Sequence, residues 1–302
     1  MPIEGDGFAV SPSDLTFDSV ARQVAARRGG GDVRLLRRGV NHVYEANDAV
    51  IRVSATAEDA LRHVEIAREV AALGIPGPVP LEDATSLEGL GVTIWQRVEP
   101  AQGELVNYER VGEVIAVLHA CRVERLRRRV RLPWCGEPAS LQLDDVLAEI
   151  GRRGLLDDED LTILQSECGQ RRDWHERARR DGALVACHGD LHPNNIIQTA
   201  NGPVILDWDG LCLGPPAWDH ALLLSWPSRW GGHPDTYRDF ARGSGSDLRT
   251  SPLARVLTET RLLAVTLNMV LAGEHDSQRA EEACRRLRYW RRETNAPPWR
   301  PQ

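Results

Sequence analysis

Residues 188–212 read HGDLHPNNIIQTANGPVILDWDGLC, a segment that gathers carboxylates, amides and imidazoles at close spacing. Asp190 follows His188 and precedes Asn195, and an Asn201-Gly202 hairpin signal then leads through an apolar stretch to Asp207. A carboxylate beside an alcohol can orient the hydroxyl and accept its proton, while an amide oxygen and a second carboxylate are hard donors suited to Mg²⁺. Taken singly, Asp and Asn are ordinary turn residues. Together they read otherwise, because apolar strands predicted over 183–187 and 203–206 deliver the polar groups from buried scaffolding. The chemistry such a set can perform is transfer of a phosphoryl group to a hydroxyl.

Three motifs, HGDLHPNN (188–195), ILDWD (205–209) and GPPAWDHA (214–221), together resemble the aminoglycoside phosphotransferase and choline kinase group of the protein-kinase-like fold. The resemblance implies Asp190 as the catalytic base, Asn195 and Asp207 as Mg²⁺ ligands, and Asp209 as an assistant to a second ion. It further implies that Asp219 braces the catalytic loop and that His188 and His192 shape it without transferring protons. A zinc site at His188 and His192 is disfavoured, since the residues between them are not those of a zinc motif and no third ligand is visible.

If ATP binds in such a fold, its phosphates are expected under the turn of Gly39, Val40, Asn41 and His42, where a residue without a side chain lets backbone N–H groups approach. Adenine is expected against the backbone of Gln96, Arg97 and Val98, with Ile51 and Trp95 as apolar neighbours. Where the family carries a phosphate-pairing lysine, this chain has Arg52, a planar and permanently charged substitute. Glu65 is its expected partner, ahead of Glu69; either acid can equally be a solvated surface residue.

All 37 basic residues are arginines, for the sequence contains no lysine. That excludes a Walker A phosphate loop and Schiff-base chemistry. A net charge of −7 argues against nucleic acid or an anionic membrane as partner and suits a cationic substrate. The arginine-rich run at 122–131 lacks interleaved aromatics and reads as a solvated helix end or loop. Six cysteines without a C-x-x-C pair suggest a reduced, cytoplasmic protein, and no segment reads as a signal peptide or membrane span.

The predicted elements fit an α+β, bilobal kinase-like arrangement. A helix capped by Ser13 stops at the Gly29-Gly30-Gly31 run; strands follow at 33–39, 42–47 and 49–54, then a helix over 57–73 and strands near 79–83 and 92–98. These form a small antiparallel-sheet N-lobe at 1–99 that binds nucleotide. Residues 100–302 form a larger helical C-lobe with the catalytic loop, metal ligands and acceptor site, its helices predicted at 104–120, 141–153, 158–181, 217–226, 234–242, 251–272 and 277–292. The proline-rich end, NAPPWRPQ, reads as a tail. The expected function is ATP- and Mg²⁺-dependent phosphorylation of a small-molecule hydroxyl, with an aminoglycoside-like amino sugar favoured. The alternatives are another small alcohol (choline, an amino-acid alcohol, a sugar, another antibiotic) and a nucleotide-binding pseudoenzyme, the last motivated by the missing lysine.

Overall fold

The computed structural model describes residues 14–39, 41–181 and 183–300, so Ser13 and Val40 lie outside the described residues. The chain divides into two compact units, one holding residues up to Ala72 together with Gly77–Glu99, the other Leu73–Pro76 and everything from Pro100 on.

The first unit runs α1 (Asp14–Arg27), β1 (Val33–Arg37), β2 (His42–Ala46), β3 (Ala49–Ser54), α2 (Ala57–Ala72), β4 (Thr85–Leu87) and β5 (Leu90–Gln96). Its five strands pair antiparallel in the order β1-β2-β3-β5-β4. Alternation along the strands gives the sheet two apolar faces. Phe17, Val20, Ala21 and Val24 of α1 cover Tyr44, Ile51, Val53, Val92 and Ile94 on one face. Val64 and Ala67 of α2 pack with Trp95 and Val50 on the other. Each large aliphatic side chain withdrawn from water in this way contributes about 1.5–3 kcal/mol. Thr56 starts α2, its hydroxyl oxygen accepting from the Asp59 amide at 3.1 Å and donating to the Asp59 carboxylate at 2.7 Å.

Two expectations need correction here. The strand foreseen near 79–83 is only a bridge from Pro80 to Trp95; the paired strand is β4, which turns into β5 through Glu88 and Gly89, both in the left-handed region. Three prolines between 76 and 80 remove the donors a ladder strand needs. Ile51 and Trp95 cannot flank one adenine, because the register pairs Ile51 with Ile94 and Trp95 with Val50, on opposite faces of the sheet.

The second unit contains α3 (Tyr108–Ala120), α4 (Val123–Arg127), α5 (Leu143–Arg153), α6 (Asp158–Gln170), α7 (Trp174–Arg180), β6 (Val185–Cys187), β7 (Ile196–Thr199), β8 (Gly202–Ile205), β9 (Cys212–Gly214), α8 (Ala217–Arg229), α9 (Asp235–Ser244), α10 (Pro252–Ala272) and α11 (Ser277–Trp290). Its core is built from α5, α6, α8, α10 and α11 around Ile150, Leu164, Trp218, Leu263, Leu267 and Trp290. Strands β7 and β8 form the foreseen hairpin, while β9 pairs antiparallel with β6. The single helix expected over 158–181 is two, with a break that buries Trp174 against the Trp218 ring at 5.3 Å. Asp157, in the acidic run ahead of α6, caps that helix by accepting from the Asp160 amide at 2.8 Å. The C-terminal residues do not continue a helix, yet Trp299 is 2 % exposed and packs edge-on against Trp230 and Tyr289. Burial of this large apolar ring offsets part of the entropy lost in ordering the extended segment. No helix among the described residues is long and apolar enough to cross a membrane.

Candidate active site

The chain leaves β6 through His188, Gly189 and Asp190, makes one tight turn at Pro193–Asn195, runs along the β7–β8 hairpin and emerges at Asp207. Gly189 has φ +90°, and a Cβ there would stand 1.9 Å from the Gly210 carbonyl oxygen. Only glycine lets the Asp190 loop lie this close to the turn at Trp208–Gly210. Asp207 occupies the left-handed region itself, with φ 59° and ψ 56°, a conformation that Asp tolerates better than most residues and that functional sites often retain.

Hydrogen bonds tie the two segments together. The Leu206 amide donates to the Asn195 carbonyl at 2.7 Å, and Asn195 Nδ2 donates to the Asp190 carbonyl at 3.0 Å. Asn195 is nearly buried, and with its nitrogen engaged its Oδ1 is the end left to accept or coordinate. The amide oxygen of Asn195 and the carboxylates of Asp207 and Asp209 are hard-oxygen donors of the type that suits Mg²⁺.

His188 is fully buried, its Nε2 donating to the Leu206 carbonyl at 2.9 Å while Nδ1 accepts from the Asp190 amide at 3.2 Å. Burial pushes its pKa down against the pull of Asp219, so it serves as a neutral strut between the segments. The Asp219 carboxylate, at the start of α8, accepts from the backbone amides of His188 and Gly189 at 2.9 Å each and from His119 Nε2, also at 2.9 Å. Burial would raise its pKa, but the His119 hydrogen bond and charge, His188 and the backbone donors hold it below the usual carboxylate value. Cys187 lies in the same group and turns its thiol to the Pro215 carbonyl at 3.4 Å.

The Asp190 side chain keeps 46 % of its surface open to solvent. Arg261 of α10 donates through Nη2 to Oδ1 at 2.5 Å, and His192 Nε2 stands 3.5 Å from Oδ2. Desolvation acts to raise the Asp190 pKa, but His192, Arg261 and His188 more than offset it, so the carboxylate is ionised at neutral pH. Next to this loop the His192 ring lies parallel to Trp226 at 6.2 Å, and Trp226 to Trp230 at 4.9 Å. Trp208 and Trp218 are core residues.

The nucleotide-side candidates lie in the first unit. Gly39 precedes β2, and Asn41, at the same turn, is 7 % exposed. Arg52 is half-buried on β3, opposite Val43 and Thr93, on the α2-covered face. Glu65 is exposed on α2, whose buried residues are Ala60, His63, Val64, Ile66, Ala67 and Val70, and it joins no ion pair among the described residues, so the expected pairing with Arg52 is not formed. The Gln96 amide donates to the Val79 carbonyl at 2.8 Å and the Arg97 amide to the Asp48 carbonyl at 3.4 Å. The Arg97 guanidinium pairs with Glu45 at 2.7 Å and Glu99 at 3.0 Å; Val98 follows in the connecting segment.

A model of the phosphotransferase enzyme family matches residues 29–253, well over half of the chain. The chain belongs to the phosphotransferase enzyme family. It is a small-molecule phosphotransferase of the protein-kinase-like fold, with a small antiparallel-sheet lobe and a larger, mainly helical lobe. No curated protein matches its sequence. Among solved structures, the amicoumacin kinase hAmiN in complex with AMP-PNP, Ca²⁺ and Ami superposes with a TM-score of 0.66 at 13 % identity, over 93 % of this chain and 97 % of that one. The GDP and kanamycin complex of APH(2")-IIia gives 0.64 at 18 %, over 87 % and 94 %. The macrolide 2'-phosphotransferase MphH from Brachybacterium faecium gives 0.52 at 20 %, over 90 % and 98 %. At these identities the likeness speaks for the fold.

Sequence reasoning missed two members of this phosphotransferase site, His119 and Arg261. Arg261 had a readable signal: it is the one charged residue in TRLLAVTLNMVLA, and a charge on a buried helix face needs a partner. His119 had none, because its partner is remote in sequence. His220, beside Asp219, is buried and hydrogen-bonded to the Tyr237 hydroxyl at 3.0 Å; burial, with help from His119, pushes its pKa from 6.5 down to about 4. Between those values the unfolded chain binds a proton that the native protein refuses, so stability falls as pH drops from 6.5 towards 4. The loss attributable to His220 is about 3 kcal/mol. Urea unfolding of His220→Phe across that window is expected to show a pH dependence shallower by about this amount; an unaltered slope would refute the assignment.

Proposed function

We propose that this phosphotransferase moves the γ-phosphoryl group of ATP to a hydroxyl of a small cationic acceptor, an amino sugar of the aminoglycoside kind. The observation that supports it best is the hydrogen-bonded linkage of Asp190, Asn195 and the segment ending at Asp207. Asp190 orients the acceptor hydroxyl and takes its proton as the O–P bond forms. Asn195 and Asp207, with Asp209 assisting, hold Mg²⁺, which when bound with ATP offsets the charge of the transferring phosphate. Residues 1–99 bind the nucleotide, with Gly39 and Asn41 at the phosphates, Arg52 as the phosphate-pairing cation and Gln96, Arg97 and Val98 at the adenine. Residues 100–302 carry the metal ligands and the acceptor site. His188, His192 and Asp219 are supporting residues that shape and brace the catalytic loop.

The negative net charge suits a polyamine-like acceptor. Kanamycin in one similar structure suits it too, whereas the macrolide and amicoumacin enzymes keep other antibiotic alcohols as a second reading. Six free cysteines fit a cytoplasmic protein. The test is ATP turnover against a panel of aminoglycosides, macrolides, choline and simple sugars. Acceptor-dependent ADP release with one class identifies the substrate; ATP binding without transfer to any member would favour the pseudoenzyme. Arg52→Ala is expected to raise the KM for ATP or lower kcat by about tenfold or more, the scale of a lost charge-assisted contact. Unchanged kinetics would place the phosphate cation elsewhere.

A further inference from the structure

Arg261 makes contacts that the stability of α10 does not call for. It is 6 % exposed, on a helix whose neighbouring residues Thr260, Leu262, Leu263 and Ala264 are core. Placing a guanidinium there costs several kcal/mol of desolvation unless its donors are met. Two of them are met by the catalytic loop: Nη1 donates to the Gly189 carbonyl and Nη2 to Asp190 Oδ1. Its face lies over the Trp218 ring with Cζ 4.8 Å from the centroid, and Trp218 Nε1 donates to the same Gly189 carbonyl at 3.1 Å. Trp218 in turn stacks on Trp174, so the guanidinium rests on a rigid aromatic pair.

The two oxygens of Asp190 are therefore inequivalent. Oδ1 is engaged by a buried, immobilised cation, whereas Oδ2 faces His192, whose side chain is partly open to solvent. We propose that Arg261 is a positioning residue for phosphate transfer, which clamps Asp190 by Oδ1 and so presents Oδ2, on the His192 side, to the acceptor hydroxyl. The proposal rests on the assignment of Asp190 as the base. It makes the acceptor enter past His192 and the parallel Trp226 ring, so that this aromatic edge borders the reacting hydroxyl. The fork is essential, because a lysine ammonium at the end of a flexible stem cannot reproduce the planar, two-point grip.

The test uses the full chain with Arg261→Lys and Arg261→Met. Both are expected to lose about 100-fold in kcat, the scale of a misplaced reacting group, with the KM for ATP within about twofold of wild type. Guanidinium ion added to Arg261→Ala is expected to restore part of the turnover. A kcat within about twofold of wild type, or a loss that tracks the unfolded fraction and is not relieved by guanidinium, would overturn the proposal. Crystal structures of wild type and Arg261→Lys supply a second readout. The Asp190 carboxylate is expected to leave its wild-type rotamer in the variant, and an unmoved carboxylate overturns the proposal. If wild-type protein transfers phosphate to no acceptor, the functional reading fails by itself, and the crystallographic comparison still decides whether Arg261 holds Asp190.

Discussion

Asp190→Ala is expected to lower kcat for phosphate transfer by about 10²–10⁴-fold while leaving ATP affinity within a fewfold of wild type. The carboxylate is the acidic group set between Arg261 and His192 with open surface towards an acceptor. The oxygens proposed to ligate the metal belong to other residues, 195 and 207, so nucleotide binding should survive its removal. Alanine leaves one Arg261 donor without its carboxylate partner, and some stability is lost with it. Asp190→Asn separates the two effects, since its amide oxygen can still accept from Arg261 yet cannot take a proton. Coupled-assay kinetics with calorimetric nucleotide titration measures both. An Asn variant that turns over at the wild-type rate would remove Asp190 from the reaction.

The second large effect is structural. Asp219→Ala should destabilise the protein by about 4 kcal/mol, since it strips acceptors from two buried backbone amides and from His119 at once. The Asp219 side chain has no exposed surface, so water cannot replace it. The sign of its pH dependence follows from its lowered pKa. Its contribution is present above the ordinary value of 3.8 and is lost as pH falls through the lower native value. Urea denaturation at neutral pH checks the size, and a shift below about 1 kcal/mol would show that the loop does not depend on this brace. Residual activity in the folded fraction should also fall, because Gly189 and Asp190 are held by the same network.

Much of this arrangement could be read in the amino acids. The 188–209 segment announces its loop, hairpin and acid because each step depends on local chemistry: β-branched runs for strands, Asn-Gly for the turn, an acid where the apolar run stops. Helices with a regular apolar stripe, α2, α5, α10 and α11, lie close to where periodicity puts them. Edges and breaks were less legible. The three-residue strands β4 and β9 are too short to show alternation, and the break between α6 and α7 serves the burial of Trp174, whose partner Trp218 is far along the chain.

The sequence by itself determined the reaction class, since a small set of hard-oxygen and carboxylate residues at fixed local spacing limits the chemistry whatever surrounds it. It also excluded lysine-based phosphate loops outright. Tertiary structure alone decided how the carboxylate is held. Arg261 lies 71 residues from Asp190 and His119 lies 100 from Asp219, and their pairing follows only when α10 and α3 pack against the catalytic loop. Local spacing encodes which groups are available. Long-range packing sets their direction, protonation and neighbours, because burial and fixed geometry arise only where distant segments exclude water together.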